Sequence, residues 1–228
     1  MTRGRNQKTR EAISEKFLIG RRKPGPVKLE ERFWEKRDLP ADLPPLAELF
    51  SATGAELEVE IGCGKGKFLV GRATAEPGIN FIGVDTAGKW MKIGARRGEK
   101  RQLDNLTFVR TDALILVEKY LAEESVSVFH IYFPDPWPKK RHHKRRIAKG
   151  SFFTLLQSKL KKGGRIELAT DNHPYYLDIQ AEVDALGPVW ASRRETVNQR
   201  LFCEDFKTSY ELKYEAEGRP LYYMELVK

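Results

Sequence analysis

Cysteine is scarce in this chain: there are two, Cys63 and Cys203, in 228 residues. They form no CxxC and no ligand pair, which excludes a disulfide framework and suits a reducing compartment. Histidine is also rare, at four. Two of these, His142 and His143, are adjacent and embedded in cations, a poor setting for a divalent ion, so no metal site is expected. Long apolar runs are missing too. The longest strongly apolar stretch is Leu114 to Val117, far short of the ~20 residues a membrane span needs. The N-terminal residues lack an apolar signal core. Their arginines are of the kind found in organelle transit peptides, but Glu11 and Glu15 argue against that reading. The expectation is a cytoplasmic chain with no membrane association.

Positive charge is abundant: 41 Lys and Arg against 32 Asp and Glu, a net +9. It is unevenly spread. Residues 1–28 hold nine Lys/Arg and two Glu, and residues 139–149 hold seven Lys/Arg, two His and no acid. Each segment carries a net +7, so the remaining residues are net negative. A cationic run repels itself and needs a polyanion or water around it. Two such runs on a mildly acidic body favour a polyanionic partner, a nucleic acid before an acidic membrane surface.

Residues 1–45 are basic and then Pro-rich, without a sustained period, and read as an arm before a domain spanning residues 46–228. No internal repeat is visible. In the domain, strand and helix signals alternate. Strands are expected at Leu57–Ile61, Asn80–Val84, Leu106–Arg110, Val126–Phe133 and Arg165–Ala169. Helices are expected at Lys67–Ala75, Ala87–Leu103, Leu114–Leu121, Phe152–Leu160 and Tyr175–Leu186, the fourth stopped by Gly163-Gly164. Leu221–Val227 reads as an edge or antiparallel strand. This pattern predicts an α/β fold with a mostly parallel twisted sheet and helices on both faces. Ligands of such sheets bind outside the carboxyl ends of the strands. Glu60, Asp85, Asp112, Asp135 and Asp171 all fall there, the first four spaced 25, 27 and 23 residues apart. Any one could be a helix cap; five together point to an acid-lined rim.

Between the first strand and helix lies Glu60-Ile61-Gly62-Cys63-Gly64-Lys65-Gly66. A dinucleotide turn wants its third glycine one residue later. The spacing here, with an acid before it, resembles the turn of class I S-adenosylmethionine-dependent methyltransferases, whose Rossmann-like fold matches the expected one. An anionic rim suits a cationic ligand and repels a diphosphate. On that resemblance Glu60 orients the methionine end, Gly62 and Gly64 let the ligand approach, Asp85 accepts from the ribose hydroxyls and Asp112 faces the adenine. Cys63 reads as a small packing residue.

After the fourth strand comes Pro134-Asp135-Pro136-Trp137-Pro138, followed by Lys139-Lys140-Arg141-His142-His143-Lys144-Arg145-Arg146. The three prolines limit the loop's freedom. With the glycine turn, and with Ala169-Thr170-Asp171-Asn172, Thr208-Ser209-Tyr210-Glu211 and Glu217-Gly218-Arg219-Pro220, this motif resembles the bacterial tRNA (guanine-N7-)-methyltransferase family from about residue 55 onward. The resemblance implies methyl transfer from S-adenosylmethionine to N7 of a guanosine in the tRNA variable loop. It implies cofactor contacts from Glu60, Asp85 and Asp112, a catalytic Asp135, and substrate contacts from Lys139, Asp171, Thr208, Ser209, Tyr210 and Glu211. It also implies RNA contacts from Arg141, His142, His143, Lys144, Arg145 and Arg146. No obligatory protein partner is evident. Two positions depart from the pattern: Asp85 stands where many members carry Glu, and Ser209-Tyr210 replace a frequent Lys-Phe pair.

The chemistry suits the residues. Guanine N7 has a lone pair and no proton to lose, so no strong general base is needed, and in-line placement can supply most of the rate. Ionised carboxylates can accept from the N1–H and amino group of the guanine edge; Asp135, Asp171 and Glu211 are the candidates, and two of them are expected to do so. Trp137 and Tyr210 either stack on a base or pack. The rival readings are a methyltransferase for another acceptor, an NAD-dependent oxidoreductase and a non-catalytic RNA-binding module. The basic run, the glycine spacing and the retained rim acids count against them in turn.

Overall fold

A computed structural model describes residues 33–35, 50, 54–202 and 205–228. The chain alternates strand and helix: β1 (Phe33–Glu35), β2 (Glu56–Ile61), α1 (Lys67–Ala75), β3 (Ile79–Asp85), α2 (Gly88–Lys100), β4 (Leu106–Arg110), α3 (Ala113–Tyr120) and β5 (Val126–Tyr132). A short 3-10 helix (Lys140–Arg145) precedes α4 (Gly150–Lys159), β6 (Leu160–Thr170), α5 (His173–Asp184), β7 (Ser192–Val197), α6 (Ser209–Ala216) and β8 (Tyr222–Val227). The strands form one sheet in the order β1-β4-β3-β2-β5-β6-β8-β7. β1 to β6 run parallel, and β8 is antiparallel to both β6 and β7.

Helices cover both faces, so the inner strands are buried on both sides, as parallel strands require. β3 is buried along its whole interior. One face packs Leu57, Val59, Ile82, Val84, Phe129 and Ile131 against α3, α4 and α5. The other packs Phe81, Phe108 and Tyr132 against α1 and α2. β2 lies between β3 and β5, so the chain winds outward from it in both directions. That switch point opens a crevice at the carboxyl ends of β2 and β5.

The fold class is the expected one, with several local differences. Phe33–Glu35, within the expected arm, pairs in parallel with Phe108–Arg110; the rest of residues 1–45 lies outside the described residues. Gly163-Gly164 does not stop a helix. α4 already ends at Lys159, and the glycines sit inside β6 where its register with β5 shifts. A Cβ at Gly164 would come within 2.9 Å of the Lys161 carbonyl oxygen, so the pair permits a close backbone approach. Leu221–Val227 contributes β8, which is antiparallel but not an edge, because the polar strand β7 covers it. Finally, α6 forms where no helix was expected. Among the described residues no helix is long and apolar enough to cross a membrane.

Candidate active site

The glycine turn is strapped to the end of β3. Gly62, Gly64 and Gly66 have φ of 80°, 50° and 62°, a region open to glycine without cost. The Gly62 and Cys63 amides donate to the Val84 carbonyl oxygen at 2.8 and 3.1 Å. Asp85 completes the strap: its Oδ2 accepts from the Gly64 amide at 2.9 Å and its Oδ1 from the Ala87 amide at 2.8 Å. Each of these oxygens keeps a further lone pair for a ligand hydroxyl. Cys63 is buried, and burial pushes its thiol well up, so it packs rather than reacts.

Glu60 lies directly before this turn, near the carboxyl end of β2 and opposite His130 of β5. It is buried, and its Oε2 has no hydrogen-bond partner. Burial pushes its carboxyl up to about 8; His130 opposes this and Asp85 adds to it. An orphaned buried carboxylate oxygen is costly and calls for a partner. The ammonium of a methionine-like ligand would supply one, so the residues fit S-adenosylmethionine.

The remaining rim acids follow in sheet order. Asp112 is exposed and caps α3, its Oδ1 accepting from the Leu114 amide at 2.8 Å. Asp135 is exposed on a loop in which Phe133 and Trp137 hold positive φ, 52° and 43°. Such conformations persist only where the surroundings enforce them. Here the Phe133 amide donates to the Ala169 carbonyl oxygen at 2.7 Å, and Arg146 Nε donates to the Pro136 carbonyl oxygen at 2.7 Å. Arg145 lies 4.9 Å over the Trp137 ring and His142 meets that ring edge-on. Asp171 is half-buried and accepts from Arg219 Nη1 at 2.9 Å.

The basic run that contains the expected RNA contacts, Arg141 to Arg146, divides by exposure. Lys139, Lys140, Arg141, Lys144 and Arg145 are exposed, and His142 and His143 are half-buried. Arg146 is buried, paired with Asp178 and stacked 4.6 Å over Tyr175. Its guanidinium braces the Asp135 loop.

The Thr208–Glu211 segment is the N-terminus of α6. Thr208 Oγ1 accepts from the Glu211 amide at 3.0 Å, and the Glu211 carboxylate accepts from the Thr208 amide at 3.3 Å, a capping box. Glu211 is 0% exposed, pairs with Arg200 and accepts from the Tyr223 hydroxyl at 2.9 Å. It faces inward and fixes the helix start, while Ser209 and Tyr210 point to solvent.

Beneath the crevice lies a cluster that sequence reasoning missed. Glu58 and Glu60 share one face of β2, and Glu60, His130, Glu167 and Glu225 are register partners across β2, β5, β6 and β8. His130 donates from Nε2 to Glu58 Oε2 at 3.0 Å and from Nδ1 to Glu167 Oε2 at 2.9 Å. Arg72 Nη2 donates to Glu58 at 2.9 Å, Arg165 Nε to Glu167 at 2.7 Å, and the Tyr132 hydroxyl to Glu167 at 2.7 Å. Burial disfavours charge on His130, but Glu167 and Glu58 outweigh it and push the imidazole up to about 9. The signal in the sequence was charge at alternate positions of otherwise apolar strands: Glu58 and Glu60 in one, His130 in the other.

The fold and this crevice define a methyltransferase of the S-adenosylmethionine-dependent class. A family model described as "Putative methyltransferase" matches residues 55–224. The chain belongs to the tRNA (guanine-N7-)-methyltransferase family. It is 35% identical over 170 residues to the tRNA (guanine-N(7)-)-methyltransferase of Limosilactobacillus fermentum, covering 73% of this chain and 77% of that one. Over 184 residues it is 39% identical to the enzyme of that name from Shewanella piezotolerans, covering 78% and 75%. Solved structures agree on the fold. An antibiotic-related methyltransferase matches with a TM-score of 0.56 at 17% identity, covering 90% of this chain and 96% of its own. A 16S rRNA methyltransferase matches with a TM-score of 0.54 at 16% identity, covering 76% and 88%.

Proposed function

We propose that this chain methylates N7 of a guanosine in the variable loop of tRNA, in the cytoplasm. One observation carries the reading: at a single switch point, an acid-lined crevice with an orphaned buried carboxyl adjoins an exposed cationic turn. The names of the relatives support tRNA as the polyanion.

S-adenosylmethionine, when bound, supplies a methyl group on a sulfonium. In this reading Glu60 holds the ammonium end, the turn at Gly62 and Gly64 admits the donor closely, Asp85 holds the ribose and Asp112 borders the adenine. Asp135, on its enforced loop, is the catalytic residue. It accepts from the guanine edge, sets N7 in line and stabilises the positive charge that develops on the purine. Asp171 is the second acceptor, exchanging Arg219 for the guanine. Lys139 contacts the guanosine or its phosphate, and Thr208, Ser209 and Tyr210 form the opposite lip. Glu211, buried and fully engaged, positions that lip through the capping box. Lys140, Arg141, Lys144 and Arg145 take the RNA backbone, with His142 and His143 beside them, while Arg146 keeps the loop in shape.

The test is methyl transfer from labelled donor into three acceptors: unmodified tRNA, 16S rRNA and a mixture of small amines. Incorporation into tRNA alone is expected. Incorporation into rRNA or amines, with none in tRNA, would overturn the substrate assignment.

A further inference from the structure

We propose that the outer face of α2 is a second RNA-contact surface, engaging a part of the tRNA outside the loop that is methylated. The inference rests on the tRNA reading above and extends it.

Charge sums along the chain hide this surface, because residues outside the two basic segments are net negative. The structure separates them. Gly88, Met91, Gly94, Ala95 and Gly98 form the buried stripe of α2. A Cβ at Gly94 would lie 2.8 Å from the Phe108 ring, so small residues let the helix sit close on the sheet. Apart from Met91, its long side chains lie off that stripe. Lys89, Lys92, Arg96, Arg97 and Lys100 are exposed, and Arg101 follows at the C-cap. The stripe is about 20 Å long at 1.5 Å per residue, room for several backbone phosphates.

Two features separate this face from an ordinary solvated one. The first is pairing. Many cations elsewhere find carboxylates, among them Lys159 with Glu123, Lys161 with Glu56, Arg193 with Asp184, Lys207 with Glu215 and Arg219 with Asp171, while scattered ones such as Lys119 and Lys162 find none among the described residues. On α2, among the described residues, Lys89, Arg96, Arg97 and Lys100 form no ion pair. Lys92 and Arg96, Arg96 and Lys100, and Arg97 and Arg101 are like charges at i,i+4 and repel one another. A polyanion relieves that repulsion. The second feature is Trp90, which is 43% exposed in the first turn, with Lys65 Nζ 4.7 Å and Lys89 Nζ 5.3 Å from its ring. An exposed indole among cations can receive a base or a ribose as well as phosphates.

Placement completes the argument. α2 begins just after Asp85, at the carboxyl end of β3, and the basic 3-10 turn follows the carboxyl end of β5. β2 separates those strands, so about 10 Å of sheet lies between them at ~4.8 Å per strand. The cofactor crevice lies between two cationic faces whose charges are mostly unpaired among the described residues, Lys92 alone on α2 reaching a carboxylate, Glu35 at 3.9 Å. A folded RNA resting on both would be held at two points, with its target nucleotide over the rim.

The test is the fourfold variant Lys89→Ala, Arg96→Ala, Arg97→Ala, Lys100→Ala, with Trp90→Ala made separately. Alanine is the best helix former, so α2 is retained. Affinity for whole tRNA, its salt dependence, S-adenosylhomocysteine affinity and transfer to a short stem-loop bearing only the target loop would be measured. The fourfold variant is expected to bind whole tRNA about tenfold or more weakly at ~0.1 M salt, with a slope against log salt shallower by about 3. Cofactor affinity and stem-loop transfer should stay at wild-type values, and Trp90→Ala should weaken tRNA with the slope unchanged. Unchanged tRNA affinity and slope in the fourfold variant, beside a wild type that binds and methylates tRNA, would overturn this inference alone. Equal losses on tRNA and stem-loop would also overturn it, as would lost binding to anionic vesicles with tRNA binding intact. A wild type that binds no tRNA would take down the substrate reading together with this one.

Discussion

Glu60 is the residue whose chemistry depends most on its surroundings. Burial keeps its carboxyl protonated up to about 8. An ammonium beside Oε2 favours the ionised form, so at pH about 7 binding should release a proton. Calorimetric titration with S-adenosylhomocysteine in two buffers of different ionisation enthalpy measures that release. Glu60→Gln should abolish it, and proton uptake by the wild type would contradict the assignment. Asp135 makes the opposite test, because it is exposed and separate from the turn. Asp135→Ala should remove transfer and leave cofactor affinity near wild type; a large loss of affinity would show that Asp135 serves the donor. Glu211 illustrates a third case. Glu211→Ala strands Arg200 and removes a cap, and breaking a buried pair costs about 3–5 kcal/mol. At about 2–4 °C per kcal/mol for a chain of this size, a melting-temperature drop of about 6–20 °C is expected. A variant that melts like wild type yet no longer binds tRNA would return Glu211 to the guanine edge.

The elements carry a different lesson. Apolar strands separated by glycine and helical signals were legible, because burial on both faces leaves a continuous apolar run. β1 and β7 were not. The first has three residues, and the second is the polar sequence Ser192–Val197 on an edge, where solvent permits charge. α6 leaves a readable mark, Thr208-x-x-Glu211, but the same residues also fit a substrate motif, and one pattern can serve both. The rim acids were legible from their spacing alone. The buried ladder at His130 was not, since pairing across strands is a property of register. That ladder makes stability depend on pH. The folded pKa of His130 is raised from 6.5 to about 9, so its contribution is complete below about 6.5 and lost as pH rises through 9. Glu60, raised from 4.5 to about 8, pulls in the same direction at lower pH. The melting temperature of the cofactor-free protein should therefore fall between pH 7 and about 9. A flat or rising profile would show that His130 is neutral in the fold.

At the scale of the whole molecule, charge is unevenly placed. Acids gather at the carboxyl ends of the strands, with Glu60 unsatisfied among them, and the densest groups of exposed cations lie on the turn after Asp135 and along α2. The donor and the acceptor carry opposite charge, and the surface offers each its complement within one strand of the other. The most direct measurement is nucleoside mass analysis of unmodified tRNA incubated with the protein and S-adenosylmethionine. The account predicts 7-methylguanosine with the wild type and none with Asp135→Ala. A methyl group on any other nucleoside, or no new nucleoside from protein shown to bind the donor, would contradict it.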